Sequence, residues 1–466
     1  MSLAYIIPQS LGQEPTNTPS LEEPAGEPVN PPSPEKPEEQ PAKAPSLEEP
    51  GEQPTEAPST KGSAEEPMNP LLFDEPRGEP LKVLTLQEAV DFTIRNKPSL
   101  DVSRSAVSIS ETDVTHEKSS LYPKVDFRLI LPLVQRESRI AINQLIWDFG
   151  KTRNRIKAKK EELRASKFDL KSELSQAVLD TKIAYYTALA EKHNFEASQK
   201  MSASKQKRAE QMEAFYKLGR ASKLDVTRAK VDAGKAKLET LRARNNMEKA
   251  RLELAKAIGW EGYFYPPLED MLEYKPIYFE LDPAVQRAIE RRPEIKSLLA
   301  KQAGMKADER TSLRKFFPDI VGRAAYRFDG SGARGPDAIA GVGFRMPIFQ
   351  GLSRVAGVKK SRALRFRTNS ELRALRQKIT AEVKELYLNL EYAKQSIIIA
   401  HESENSAQEN YETVSEKYRL GTSSEVELLD AEALLESTKA EYARTIYDYK
   451  TVVAELERAI GEKLEE

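Results

Sequence analysis

The chain has 466 residues, 31% of them charged and 39% hydrophobic, with a formal net charge of −1, no cysteine and three histidines. Without cysteine there can be no disulfide framework, zinc–cysteine site, iron–sulfur cluster, thiol nucleophile or lipid-carrying N-terminal cysteine in this chain. His116, His193 and His401 each lack a second histidine nearby, which argues against a His-based metal site, and no run approaches the ~18 apolar residues of a membrane-spanning helix.

The charge is divided unevenly. Residues 1–80 hold 18 of the 29 prolines and 16 acidic residues against four basic ones, a net charge of −12, while the remainder carries +11. Pro19-Ser20-Leu21-Glu22-Glu23-Pro24 recurs as Pro45-Ser46-Leu47-Glu48-Glu49-Pro50. Such a segment buries too little apolar surface to offset its ordering entropy, so 1–80 is expected to be a disordered or PPII-like solvated spacer. Met1 to Pro8 has no basic n-region and is cut short by proline, so it does not read as a secretory signal. The expectation is then either a cytosolic protein or one whose signal has already been removed.

The body reads as one unit written twice. Residues 81–262 form a first repeat, 263–280 a linker and 281–466 a second repeat. Leu86 to Pro98 reads as a short amphipathic helix ending in Asn96-Lys97-Pro98, and Leu281 to Pro293 matches it, ending in Arg291-Arg292-Pro293. Leu121-Tyr122-Pro123 recurs as Phe316-Phe317-Pro318, Leu218-Gly219 as Leu420-Gly421, and Ala257-Ile258-Gly259 as Ala459-Ile460-Gly461.

Each half then runs short helix, medium helix, strand pair, very long helix, sharp turn, long helix. The strand pairs fall at about 124–147 and 319–348. Val125, Phe127, Leu129, Leu131 and Leu133 alternate with Asp126, Arg128, Ile130 and Val134; Ile140, Ile142 and Ile146 share a face. In the second half Ile320, Ala324, Tyr326 and Phe328 alternate with Val321, Arg323 and Arg327, and Ala338, Ala340, Val342, Phe344 and Met346 with Ile339, Gly341, Gly343 and Arg345. Strands of ~10 residues with this dyad period suit a tilted transmembrane strand as well as a half-buried hairpin. Four strands cannot close a barrel, so a membrane role requires oligomerisation, with three copies giving twelve strands.

No helix breaker occurs from Lys151 to Lys217, which predicts a helix roughly 100 Å long. Ile379, Val383, Leu386, Leu390, Ala393 and Ile397 form a heptad seam; Ala177, Thr181, Ala184 and Ala188 form its small-residue counterpart. The bland alternative is a soluble, elongated coiled-coil scaffold with hairpin caps.

Taken as a set, these motifs resemble the TolC family of outer-membrane efflux proteins. Leu84-Thr85-Leu86-Gln87-Glu88-Ala89, the Pro98 and Pro293 junctions, Leu145-Ile146-Trp147-Asp148-Phe149-Gly150 with Pro347-Ile348-Phe349-Gln350-Gly351, and the turns Tyr216-Lys217-Leu218-Gly219 and Tyr418-Arg419-Leu420-Gly421 carry the resemblance over residues 80–466. It implies a mainly α chain with a small β part, assembled as a homotrimer in which an α-helical barrel extends a twelve-stranded transmembrane β-barrel, four strands per chain. It also implies an exit duct in outer-membrane lipid with a periplasmic extension. The duct would serve a tripartite efflux pump or type I secretion system, with a periplasmic adaptor (membrane fusion) protein and an inner-membrane transporter as partners and no cofactor.

Within that resemblance, Lys217, Leu218, Gly219, Arg419, Leu420 and Gly421 form the tips that dock the adaptor. Glu427 and Asp430, i and i+3 at the start of the last helix, match the acidic rings of the aperture. Tyr418 and Asp225 match latch positions, but the arginine that completes the latch is replaced by Ser423, so a salt bridge from Asp225 is not available there. The expectation is a gate held by Tyr418, or more loosely.

Enzymatic signatures are missing. There is no G-x-S-x-G, H-E-x-x-H or P-loop; Gly330, Gly332 and Gly335 lie in a hairpin loop, and Glu161-Glu162 sits on a charged helix. Basic residues of the body are interspersed with acids rather than clustered with aromatics, so nucleic acid is not an expected partner.

Overall fold

The computed structural model describes residues 83–129, 139–262, 266–327, 337–346 and 348–462. The acidic tail and the strand positions Ile130 to Val134, Phe328 and Pro347, with the glycine-rich loop at Gly330, lie outside them. In chain order the elements are α1 (Leu86–Asn96), α2 (Pro98–Ser119), β1 (Lys124–Arg128), β2 (Arg139–Trp147), α3 (Lys151–Lys217), α4 (Lys223–Ile258), α5 (Leu281–Arg291), α6 (Pro293–Arg314), β3 (Asp319–Arg327), β4 (Asp337–Arg345), α7 (Ser353–Arg419) and α8 (Glu425–Ile460).

Corresponding helices have equal lengths in the two halves: 11 residues for α1 and α5, 22 for α2 and α6, 67 for α3 and α7, and 36 for α4 and α8. The α3 and α7 helices start at Lys151 and Ser353, an offset of 202 that holds to the chain end.

Local sequence sets these boundaries. Thr85 and Glu88 close a reciprocal capping box that starts α1. Pro98 and Pro293 occupy the first turns of α2 and α6, where a missing N–H costs nothing, and force Lys97 and Arg292 into extended backbone (ψ 118° and 130°). The long hairpins turn at Gly219 (φ +71°) and Gly421 (φ +74°), and α4 and α8 stop at Gly259 and Gly461.

At 1.5 Å per residue α3 and α7 each run about 100 Å. The α7 seam from Ile379 to Ile397 is buried, joined by Ala284, Ala288 and Ile295 from α5 and α6 and by Tyr449, Leu456 and Ile460 from α8. A second core gathers Ala89, Tyr185, Tyr186, Leu189, Leu254 and Ile258 with Tyr447. The α3 helix packs against α1, α2, α4, α6 and α8, whereas α7 packs against α5, α6 and α8. The more crowded helix carries the smaller seam, because close approach on several sides favours small side chains there.

Candidate functional site: the membrane sheet and the helical tips

The four strands form one antiparallel sheet in the order β1-β2-β3-β4, so the β2–β3 pairing joins the two halves. Register places Val125 opposite Ile142, Phe127 opposite Ile140, Ile140 opposite Tyr326, Ile142 opposite Ala324, Ala324 opposite Ala340 and Ile320 opposite Phe344. One face is therefore largely apolar, with Gln144 opposite Gly322 as its polar interruption, and its large members are exposed: Phe127 is 64% accessible, Val342 71% and Phe344 77%. The other face carries Lys124, Asp126, Arg128, Asn143, Arg323 and Arg345; Asn143 Nδ2 donates to Asp126 (3.3 Å) and Arg323 Nε donates to Asn143 (3.0 Å). A bulge between Leu145 and Trp147 inserts Ile146, whose side chain covers Gly322. Apolar groups on one face and charge on the other is the pattern of strands between lipid and an aqueous lumen. Among the described residues no helix is long and apolar enough to cross a membrane.

At the far end of the long helices the two turns share one geometry. Arg220 N donates to Phe215 O (2.8 Å) and Gly219 N to Tyr216 O (2.9 Å); Thr422 N donates to Lys417 O and Gly421 N to Tyr418 O, both 2.9 Å. These 6→1 closures around a left-handed glycine leave Leu218 and Leu420 at the extremity, each 68% exposed. Lys217 and Arg419 are exposed beside them and, among the described residues, pair within their own helices with Glu213 and Glu416.

Asp225 and Glu427 sit 202 residues apart and do the same local job. Ser222 N and Oγ donate to the Asp225 carboxylate (3.1 and 2.7 Å), and Asp225 N donates back to Ser222 Oγ (3.2 Å). Ser424 N donates to Glu427 (3.0 Å), Glu427 N donates to Ser424 Oγ (3.2 Å), and the Ser423 hydroxyl adds a further bond. These bonds favour the ionised forms, Ser222 holding Asp225 and Ser423 holding Glu427 below the ordinary carboxylate range. Among the described residues no hydrogen bond joins Tyr418 to Asp225.

Asp430 is placed differently. It leans on α3, where Ser204 Oγ (2.6 Å) and Lys205 Nζ (3.0 Å) donate to one oxygen and Arg208 (2.9 Å) to the other. Burial raises its carboxyl, but these donors and the charges of Lys205 and Arg208 outweigh it and leave the group below its usual value. Lys207 pairs with Glu425 (3.7 Å) and Lys200 with Glu432 and Glu436 (3.4 and 3.3 Å), so a basic stretch of α3 meets an acidic stretch of α8. Sequence reasoning missed this zipper, since each charge alone reads as a solvated helix face.

It also missed how residues 266–280 are fastened midway along the helices. Leu84 and Leu268 form a parallel bridge, and Tyr185 Oη donates to both Leu84 O (2.8 Å) and Glu269 O (3.0 Å). Tyr447 Oη donates to Asp270, and Tyr449 Oη donates to Lys275 O while accepting from Ile277 N, both 2.9 Å. Burial pushes the Tyr185 and Tyr447 phenols well up, so they stay protonated donors. No group of three or more His, Cys, Asp or Glu among the described residues could hold a metal ion.

A family model described as outer membrane efflux protein matches residues 90–260 and 284–462. The chain belongs to the outer membrane efflux protein family. Solved efflux-channel structures share its fold. The Campylobacter jejuni CmeC outer membrane channel aligns at 16% identity over 85% of this chain and 91% of its own, with a TM-score of 0.67. The Vibrio cholerae outer membrane protein VceC aligns at 15% identity over 82% and 97% (TM-score 0.65), and the open Neisseria gonorrhoeae MtrE outer membrane channel at 17% over 82% and 89% (TM-score 0.63). No curated protein matches the sequence.

Membership makes this chain an outer-membrane efflux channel with a periplasmic extension rather than an enzyme, and the soluble-scaffold alternative falls. An exposed apolar sheet face is a liability in water and an asset in lipid.

Proposed function

We propose that three copies close into a duct that conducts cargo passively out of the periplasm, with energy supplied by partners. The observation that carries this reading is the two-faced sheet with open edges: β1 and β4 each lack an outer neighbour among the described residues. Unpaired strand edges are not tolerated in hydrocarbon. Three four-stranded sheets joined edge to edge give twelve strands with no free edge. In the same assembly the two repeats act as equivalent sectors, and residues 266–280 clamp them together at mid-height.

The gate lies at the helical tips. Three Glu427 carboxylates converge there, ionised and unpaired with any basic side chain among the described residues, and select cations by their mutual field. Asp430 contributes less field, because Lys205 and Arg208 neutralise it; its work is to hold α8 against α3 in the closed state. Asp225 keeps α4 capped, and Tyr418 is the remaining contact available to a latch that lacks its arginine. The exposed turns at Lys217, Leu218, Gly219, Arg419, Leu420 and Gly421 dock a periplasmic adaptor, which connects the duct to an inner-membrane transporter.

Planar-bilayer recording tests the gate. Glu427→Gln is expected to lower cation preference without raising conductance, whereas Asp430→Asn is expected to raise conductance. The assignment of roles fails if neither variant changes selectivity or current.

A further inference from the structure

The α3·α8 zipper has an unpaired counterpart elsewhere in the chain. At the same offset of 202 residues, α7 corresponds to α3 and α4 to α8, yet within one chain α4 and α7 are not among the helix pairs that pack together. Both present exposed apolar rows. On α4, Leu224, Val231, Leu238 and Leu252 follow a heptad spacing and are 48–64% exposed; on α7, Leu388, Tyr392 and Ile399 are 66–74% exposed. Their equivalents on the other pair are in use. Tyr186, equivalent to Leu388, stacks on Tyr447 with ring centroids 6.1 Å apart, and Ala197 and Ala440, equivalent to Ile399 and Leu238, line one groove where α3 meets α8.

The charges on this second pair are reversed. Residues 198–217 of α3 carry a net +3 against −4 on residues 425–444 of α8; residues 400–419 of α7 carry −3 against +3 on residues 223–242 of α4. The reversal reaches single ion pairs: Lys207 and Glu425 of the observed 3.7 Å pair correspond to Glu409 and Lys223. Both Glu409 and Lys223 are exposed and have no ion-pair partner among the described residues.

Building on the trimeric reading, we propose that α4 of one copy packs against α7 of the next as α3 packs against α8 within a chain, with Lys223 of one copy and Glu409 of its neighbour forming a charge-reversed Lys207–Glu425 pair. The occupant of both apolar rows is therefore a second copy of this chain. Reversal gives the ring its direction. A basic α4 is attracted to an acidic α7 and repelled by the basic α3 of another copy, so like hairpins do not pair and copies add head to tail until the ring closes. Repeating the charges of the first seam unchanged would have let either seam mate with the other.

The cysteine-free chain makes the test clean. Lys223→Cys with Glu409→Cys, oxidised in membranes, is expected to give a non-reducing gel ladder that ends at three chains and is absent from either single variant. Lys207→Cys with Glu425→Cys serves as the internal control and is expected to crosslink within one chain. A trimer of correct native mass in which the Lys223/Glu409 pair stays uncrosslinked, or crosslinks at the mass of one chain, would overturn the seam while leaving the trimer standing; a monomeric channel would overturn both. Should the cysteines impair folding, charge exchange reads the same contact. Lys223→Glu and Glu409→Lys are each expected to lose the detergent-resistant oligomer, and the double variant to regain it. Absence of regain in a folded double variant counts against the pair.

Discussion

The two halves of this channel share their helix lengths to the residue and differ in what the helices carry. The most buried difference lies at the prolines that start α2 and α6. Lys97, before Pro98, pairs with Asp180 at 3.2 Å, its side chain 16% accessible and that of Asp180 42%. Arg292, before Pro293, is 3% exposed and forks onto Glu382 with bonds of 2.9 and 2.7 Å, while Arg458 bridges Glu382 and Glu294. The site is duplicated, but only the second copy became a desolvated network. The seams differ in the same way, Ile379 and Val383 standing where the first half has Ala177 and Thr181. Duplication fixes helix lengths and turns; neighbours then decide side-chain size and polarity, so the helix packed on more sides carries the smaller seam.

The largest expected effect tests the ion pairs. Arg292→Ala leaves the Glu382 carboxylate half-buried without its main partner and is expected to cost about 3–5 kcal/mol. Lys97→Ala should cost less, about 1 kcal/mol, because the Asp180 carboxylate it leaves behind stays in contact with water. Thermal unfolding of the detergent-purified protein by circular dichroism ranks the two, and equal losses would break the comparison.

The seams come next. Ile379→Ala, at a fully buried position, is expected to lose about 2–5 kcal/mol. The reciprocal Ala177→Ile should lose about 1–3 kcal/mol by overpacking against α3's neighbours. A neutral Ala177→Ile would mean that crowding does not explain the small seam.

Gly259 and Gly461 end α4 and α8 with φ of +74° and +77°, so alanine at either is strained by about 1–2 kcal/mol. A Cβ at Gly259 would also meet Asn96 O and Lys97 Cα at 3.0 Å, whereas at Gly461 the nearest atom, Arg291 Cβ, is 3.4 Å away. Gly259→Ala is therefore expected to lower the melting temperature further than Gly461→Ala.

The smallest effect is on acid tolerance. Burial raises the Glu382 carboxyl, but Arg292 and Arg458 lower it more, leaving it below its ordinary value of 4.5. A depressed carboxylate stabilises the fold above its unfolded pKa and loses that contribution as pH falls through the folded value. The wild type should therefore lose stability more steeply than Glu382→Gln below about pH 4.5, with the two curves parallel at neutral pH.

Much of this architecture is legible in the sequence because its determinants are local. The breaker-free run from Lys151 to Lys217, the prolines at 98 and 293, the Leu-Gly turns and the period-two strands each name their own structure, and doubling makes each reading a check on the other. The site is less legible. Glu427 and Asp430 lie i, i+3 on α8, yet one turns back to cap its own helix and the other reaches α3 residues more than 220 positions earlier in the chain. A charge on a helix looks solvated until the helix beside it is known. The tyrosines that fasten residues 266–280 are hidden for the same reason, with Tyr447 meeting Asp270 across 177 positions.

The central claim is a lipid-embedded trimer with a hollow helical shaft. Particle mass and images of the chain, expressed with a signal peptide in a Gram-negative host and extracted from the membrane fraction with detergent, test it most directly. Three chains around a shaft about 100 Å long, the length of α3 and α7, are expected. Solid rods, dimers, or protein recovered entirely from the soluble fraction would contradict it.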